Sequence, residues 1–290
     1  MAGLAERLLN LDRRWLFLLV LLGVAIPIVF PIGLPVTTTA STRAAFDFIE
    51  SVKPGDVVVL SFDYGPSSAP ENDPMADGFL RQCFLRKVRV IVMALYPLGG
   101  LTLANNSLAR VTPEYPNLRY GEDYVNLGYK DGAAAVLRSL DKGFAGPFPV
   151  DLRGTPIARI PIMHGIHSVR DVQVVYTVAT GIIGEWWITQ MHPQSGTPVV
   201  IGPTAVSAPK YYAYLNAGQV VGMVGGMKGA AEYEKLLAGK HPELAQFYSS
   251  TRGFTATKGM DGQTVIHIVI ILFIFIGNLA YIRTRKKARA

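Results

Sequence analysis

The stretches DVVVLSF, residues 56–62, and VRVIVMAL, residues 88–95, decide the fold. Both are short, almost wholly apolar and rich in β-branched side chains, which is typical of strands buried on both faces of a parallel sheet. Between them, residues 73–87 are predicted to form a helix, because Asp73 can cap its amino end and Pro74 suits its first position. A strand, a helix and a second strand form the repeating unit of a parallel α/β sheet.

The same alternation continues along the middle of the chain. Three further short stretches are predicted to be strands, residues 123–127, 172–178 and 198–201. Residues 210–237 are predicted to be mostly helical. We therefore predict an α/β fold with a single doubly wound, mostly parallel sheet, Rossmann-like, in one domain. Residues 143–168 are rich in proline and glycine and are predicted to form an excursion from this domain, either a lid or an interface.

Two long apolar runs without Asp, Glu, Lys or Arg bracket the domain, residues 15–36 and residues 264–282. A helix needs about 20 apolar residues to cross the hydrocarbon core, so both runs are predicted to be transmembrane helices. The first run is longer than the apolar core of a signal peptide, and we expect it to be retained. Proline removes a backbone donor, so we expect this helix to kink near Pro27 and to unwind by Pro31.

Basic residues concentrate at the two ends of the chain. The sequence has 28 Lys and Arg against 21 Asp and Glu, and eight of the basic residues lie in residues 1–14 and 283–290. Basic flanks favour the cytoplasmic side, so we predict a plasma (inner) membrane protein with both termini cytoplasmic. The domain, residues 37–263, is then periplasmic or extracellular. A nucleic-acid-binding protein carries its basic patch on the folded domain, and the pattern here argues against that partner.

Polar residues and glycines follow every predicted strand. Ligands of open parallel sheets bind beyond the carboxyl ends of the strands, so we expect these loops to share one edge and to line a cleft. The candidate ligand-binding residues are Asp63, Tyr64, Ser67, Glu71, Lys130, Asp131, Glu185, Thr204 and Ser207. Loops are also polar simply because they lie on the surface, and this explains the pattern without any ligand. A ligand-binding cleft is therefore kept as the alternative to a role in protein interaction.

Glycines recur every four residues at Gly218, Gly222 and Gly226 within the last predicted helix of the domain. On a helix they would share one face, and a face without side chains lets another backbone approach closely. Tyr211 and Tyr212 precede them, and tyrosine is frequent at interfaces. We predict a helix-packing surface formed by these five residues, either against the domain's own sheet or against another subunit.

The known catalytic motifs are absent from the sequence, including the GxSxG elbow, the GxxxxGK[ST] phosphate loop and the HExxH zinc motif. His164, His167 and His192 could hold a metal, but no Cys or carboxylate lies at ligand spacing beside them. We therefore predict no catalytic residue, no metal and no cofactor. The single cysteine, Cys83, excludes an internal disulfide.

These features together favour a structural or interaction subunit of a membrane protein assembly, either a homo-oligomer or a hetero-oligomer. Its predicted partners are the lipid bilayer and other membrane-protein subunits or further copies of the chain. Two alternatives stay open. One is a membrane-tethered small-molecule-binding module, and the weaker one is an enzyme that uses the acidic residues of the cleft.

Overall fold

The computed structural model describes residues 12–250 and 253–287. Residues 1–11 of the predicted cytoplasmic segment and residues 288–290 of the predicted basic tail lie outside this described part. The chain divides into two compact units. One is Val36–Ala256, and the other combines Met1–Pro35 with Thr257–Ala290.

A six-stranded sheet forms the centre of the first unit. Its strands are β1 Val57–Asp63, β2 Arg89–Ala94, β3 Tyr124–Tyr129, β4 Val175–Ala179, β5 Val199–Pro203 and β6 Gly222–Met223. The spatial order is β3-β2-β1-β4-β5-β6, and all five neighbouring pairs are parallel. The predicted parallel α/β fold is therefore confirmed, with β6 as a strand that the sequence did not indicate. The order reverses between β1 and β4, which is the switch point of the sheet.

Helices cover both faces of this sheet. In the described part of the chain the α-helices are α1 Arg13–Val29, α2 Ala40–Ser51, α3 Ala69–Leu85, α4 Gly100–Val111, α5 Ala133–Leu140, α6 Ile183–Trp186, α7 His192–Ser195, α8 Ala208–Asn216, α9 Gly226–Lys240, α10 Ala245–Ser249 and α11 Thr255–Lys287. A π-helical turn, Trp187–Met191, joins α6 to α7.

The two faces of the sheet have separate apolar cores. On one face α2, α3, α4 and α9 pack together, and the ring of Phe79 on α3 contacts that of Tyr176 on β4. On the other face, alternate strand residues such as Val59 pack against α5, the excursion, the π-helical turn and α8. Because both faces are covered, β1, β4 and β5 are buried along their whole length, as their apolar sequences predicted.

Residues 210–237 are mostly helical, as predicted, but they form two helices separated by a turn and β6, so the prediction that the three glycines share one helix is wrong. Gly218 lies in a turn after α8, Gly222 lies in β6, and Gly226 is the first residue of α9. Gly218 and Gly226 have φ angles of +70° and +63°, a left-handed conformation that interrupts a right-handed helix. The three glycines therefore do not form a stripe on one helix face.

Gly222 nevertheless allows a close approach within its own unit. A Cβ atom on Gly222 would lie 2.4 Å from the backbone N and Cα of Ala45. Ala45 belongs to α2, so the absence of a side chain on Gly222 lets α2 lie directly on the edge strand β6. Of the two alternatives given for these glycines, packing within the domain's own sheet is the one that describes Gly222.

In the second unit α1 lies beside the long helix α11. The Cβ position of Gly23 is 3.6 Å from the side chain of Val265, and that of Gly262 is 3.5 Å from the carbonyl oxygen of Val24. The buried carboxylate of Asp261 accepts hydrogen bonds from the backbone N–H groups of residues 32–34, at 3.0, 2.8 and 3.1 Å. These bonds hold the proline-rich segment after α1 against α11.

The described residues contain one helix long and apolar enough to cross a membrane, Thr255–Ile282. The first predicted span behaves differently. α1 continues through Pro27 but ends at Val29, and the chain is extended beyond it. Its 17 residues reach about 25 Å, less than the roughly 30 Å hydrocarbon core. The prediction that residues 15–36 form a full spanning helix is thus met only in part, because the later prolines cannot continue the helix.

Candidate functional site at the carboxyl edge of the sheet

Asp63 ends the central strand β1, at the switch point. Its carboxylate accepts hydrogen bonds from the backbone N–H of Leu95 at 3.1 Å, the hydroxyl of Thr177 at 2.7 Å and the indole N–H of Trp187 at 2.7 Å. The side chain is fully buried, and Trp187 of the π-helical turn is buried with it. Asp63 therefore joins β1, β2, β4 and the π-helical turn inside the fold and does not face a cleft.

Burial also changes the acidity of this carboxyl group. Removal from water disfavours the charged form and raises the pKa of Asp63 to about 6, although the hydrogen bonds that its carboxylate accepts act in the opposite direction. A buried acid that titrates near neutral pH is often found at functional sites. Here its donors are all groups of the fold, so the geometry supports a structural role.

Polar groups of the loop after β1 also form hydrogen bonds with nearby groups of the chain. Tyr64 is buried and donates its hydroxyl to Asp73 at 2.7 Å, and burial raises the pKa of Tyr64 well above its usual value. Ser68 donates to the carbonyl of Gly65, while Ser67 is exposed to solvent. Of these residues only Ser67 is open to an external ligand.

Glu71, Thr204 and Ser207 lie close to one another near the carboxyl end of β5. The carboxylate of Glu71 accepts the backbone N–H of Ala205 at 2.8 Å, which links the first turn of α3 to the loop after β5. Thr204 donates its hydroxyl to Ser207 at 3.2 Å. The polar groups of this cluster therefore bind one another.

Lys130 and Asp131 are exposed beyond the carboxyl end of β3. β3 and β5 are separated by β2, β1 and β4, and neighbouring strands lie about 4.8 Å apart. Lys130 and Asp131 are thus roughly 19 Å from the Thr204 loop. The predicted residues share one edge of the sheet, but they are too widely spread to line one small cleft.

Glu185 lies in α6 and contacts α8. It accepts hydrogen bonds from Tyr214 at 2.8 Å and from Lys210 at 3.3 Å. The Tyr214 hydrogen bond, followed by Lys210, holds the pKa of Glu185 below its usual value. Of the two predicted interface tyrosines, Tyr211 is buried and Tyr212 is exposed.

Large apolar side chains protrude from the same edge. Val206 is 91% exposed and Leu98 is 72% exposed, while Tyr212 and Ile182 are each almost half exposed. They come from the loops after β2, β4 and β5 and from α8. The carboxyl edge therefore combines internally bonded polar groups with projecting apolar side chains.

A charged cluster on α3, α4 and the 3-10 turn Thr112–Glu114 after α4 was missed by sequence reasoning. Arg110 contacts Asp73 at 3.0 Å and Asp77 at 2.8 Å, and Arg81 makes a two-bond ion pair with Glu114, both bonds at 2.8 Å. The spacing of Asp73, Asp77 and Arg81, each four residues apart, could have indicated a shared helix face. This cluster borders a groove of about 940 Å³.

Among the described residues, no group of three or more His, Cys, Asp or Glu side chains is arranged to hold a metal ion. His192, one of the three histidines considered above, is engaged through its Nδ1 atom with the carbonyl oxygen of Thr197 at 2.8 Å. Cys83 is fully buried, and burial raises the pKa of its thiol well above the usual value.

No protein-family model and no curated protein matches this chain. Among solved structures, it is similar to trehalose-6-phosphate synthase OtsA, with 10% sequence identity and a TM-score of 0.33. The similarity covers 91% of this chain and 49% of that one, so the chain spans about half the length of the enzyme. The function is therefore inferred from the geometry of the chain itself.

Proposed function

We propose that this chain is a membrane-anchored subunit of a protein assembly, and that its α/β unit binds another protein subunit through the carboxyl edge of the sheet. The observation that carries the proposal is the set of protruding apolar side chains at that edge, Leu98, Ile182, Val206 and Tyr212. Exposed apolar groups of this size mark interaction sites when they lie close together.

Contacts between the loops support a continuous surface. The Cβ position of Gly65 lies 3.2 Å from the carbonyl oxygen of Leu98. Glu71, a few residues later, binds the backbone N–H next to Val206. On the other side, Lys210 of α8 donates to the carbonyl of Gly181, which precedes Ile182. The loops that carry the apolar side chains are therefore tied together around β1, β4 and β5.

The polar groups of the edge favour a protein partner over a small polar ligand. A site for such a ligand needs polar groups that point into a cavity. Asp63, Tyr64 and Glu185 are each hydrogen-bonded to other groups of the fold, and Asp63 is not exposed to solvent. Apolar and aromatic side chains in the centre of a patch, with satisfied polar groups around them, are typical of protein interfaces.

Photo-crosslinking in the native membrane tests this interaction. We expect a photoreactive amino acid at Val206 to give a discrete adduct with another polypeptide. The matched control is the same amino acid at Lys53, which is exposed in the turn before β1, at the opposite edge of the sheet. An adduct at Lys53 of the same kind and yield, or no adduct at Val206, would contradict the proposal.

Two segments of the chain are proposed to anchor it in the membrane. α11 contains the stretch that is long and apolar enough to span. We propose that α1 and the extended residues after it form the second membrane segment, held to α11 by Asp261. The basic residues near both ends of the sequence support a topology with both termini in the cytoplasm and the α/β unit outside it.

Cysteine labelling tests this topology. Wild-type Cys83 is fully buried, so we expect almost no reaction with a membrane-impermeant maleimide. The variant Lys53→Cys places a thiol at an exposed turn and should be labelled when the reagent is added outside the cell or spheroplast. Labelling of this variant only after the membrane is opened would show that the α/β unit is cytoplasmic.

A further inference from the structure

A long groove follows the outer side of α3. Its main part has a volume of about 940 Å³, and it continues into depressions of about 590 and 380 Å³. Glu114 lines all three, so they adjoin one another at this residue. The 17 residues of α3 measure about 25 Å, which is the length of roughly seven or eight residues of extended peptide.

The main part of the groove has a largely apolar lining. Pro66, Pro70 and Pro74 line it at intervals of four residues, and Pro113 and Phe247 contribute further apolar surface. Rigid apolar rings of this kind present a surface to which an extended segment can bind without ordering long side chains of the groove.

The charged lining of the groove is predominantly acidic. The main part is lined by four carboxylates and two arginines, and the adjoining 590 Å³ depression by Glu114 and Glu243 without any Lys or Arg. Both arginines are held by the groove's own carboxylates, Arg81 by Glu114 and Arg110 by Asp73 and Asp77. The lining of the main part of the groove therefore has a negative formal charge.

The groove already holds one cationic group, the guanidinium of its own Arg81. The guanidinium of Arg81 is bonded to both oxygens of Glu114 and lies 4.1 Å from the centre of the Phe247 ring. An ionised carboxylate has about four acceptor positions, so Glu114 can accept further bonds beyond the two from Arg81. The ring and carboxylate provide the combination that binds guanidinium and ammonium groups.

We propose that this groove binds an extended basic segment of a partner protein, with apolar side chains on the proline-lined surface and Lys or Arg side chains beside Glu114 and Glu243. None of the apolar residues proposed for the carboxyl edge lines the groove, so this is a second interaction surface, which adjoins that edge where Pro66 lies 3.0 Å from the Cβ position of Gly99. An acidic peptide is repelled by the same lining.

Fluorescence anisotropy on the full-length protein in phosphatidylcholine nanodiscs tests the proposal. The probe is a fluorescein-labelled nine-residue peptide that alternates lysine with proline, and the comparison peptide has glutamate in place of lysine. We expect the lysine peptide to bind and the glutamate peptide not to bind. Empty nanodiscs measure any attachment of the probe to lipid.

Two charge reversals locate the binding. Glu243→Lys, at an exposed position of the groove, should weaken the lysine peptide about fivefold or more at low salt, and less as salt is added. Asp47→Lys, at an exposed position on α2, changes the net charge equally and should leave the affinity unchanged. Val206→Asp should also leave it unchanged, which separates this surface from the carboxyl edge.

Three results would overturn the proposal. The first is equal binding of the lysine and glutamate peptides, and the second is no binding of the lysine peptide. The third is an equal loss of affinity in Glu243→Lys and Asp47→Lys, which would show general attraction to the protein's charge.

Discussion

Replacing Gly222 by alanine is expected to destabilise the α/β unit by about 3 kcal/mol or more. The added Cβ would lie 2.4 Å from the backbone of Ala45, and backbone atoms of α2 cannot move as a flexible side chain can. α2 must then shift away from β6. For a domain of this size the loss corresponds to a fall in melting temperature of roughly 6–12 °C.

Thermal unfolding of the full-length protein in detergent, followed by tryptophan fluorescence, measures this effect. The matched control is Gly239→Ala, because Gly239 is exposed on α9 and nothing lies within 4 Å of its Cβ position. This change should leave stability equal or raise it by about 0.5–1 kcal/mol, since alanine favours a helix. If Gly222→Ala melts like the wild type but loses an oligomer, the glycine serves a subunit contact instead.

Asp63 is expected to make stability depend on pH in the direction opposite to most carboxylates. Its folded pKa of about 6 lies above the unfolded value of 3.8, so the folded state retains the proton between these values while the unfolded state loses it. The contribution of Asp63 is most favourable below about pH 4 and decreases until about pH 6. The total change is about 3 kcal/mol.

Comparison with Asp63→Asn isolates this contribution, because asparagine does not titrate. The difference in unfolding free energy between wild type and variant, measured in urea, should change by about 2 kcal/mol from pH 4 to pH 7, with the variant relatively more stable at pH 7. Asp131→Asn, at an exposed position of the same edge, serves as the control. A difference that stays constant over this range would contradict the environment described for Asp63.

Sequence patterns were sufficient for the central part of the fold. The runs that became β1 and β2 are short, β-branched and apolar on both faces, which is typical of a covered parallel sheet, and the position of polar loops at one edge followed from parallel strands. β6 was missed because it has only two residues and lies among glycines spaced like a helix stripe. The left-handed φ angles of Gly218 and Gly226 break this pattern, and residue spacing does not reveal them.

The site was predicted less completely than the fold. The sequence placed Asp63 at the end of a strand but could not show that Trp187, far along the chain, would cover it. Strand order, which separates Lys130 from Thr204, depends on crossover connections that local patterns do not reveal. The α3 groove requires residues from 66 to 255, so only the folded chain brings its lining together.

Native mass spectrometry of the protein extracted gently from its membrane tests the interaction role most directly. We expect the wild type to appear in a complex with other polypeptides or with further copies of itself. The double variant Leu98→Asp and Val206→Asp should instead appear as a single folded chain of 31.5 kDa, because charges then occupy the apolar surface. A wild type that is itself a lone chain of 31.5 kDa, particularly one that carries a bound small molecule, would contradict the proposed function.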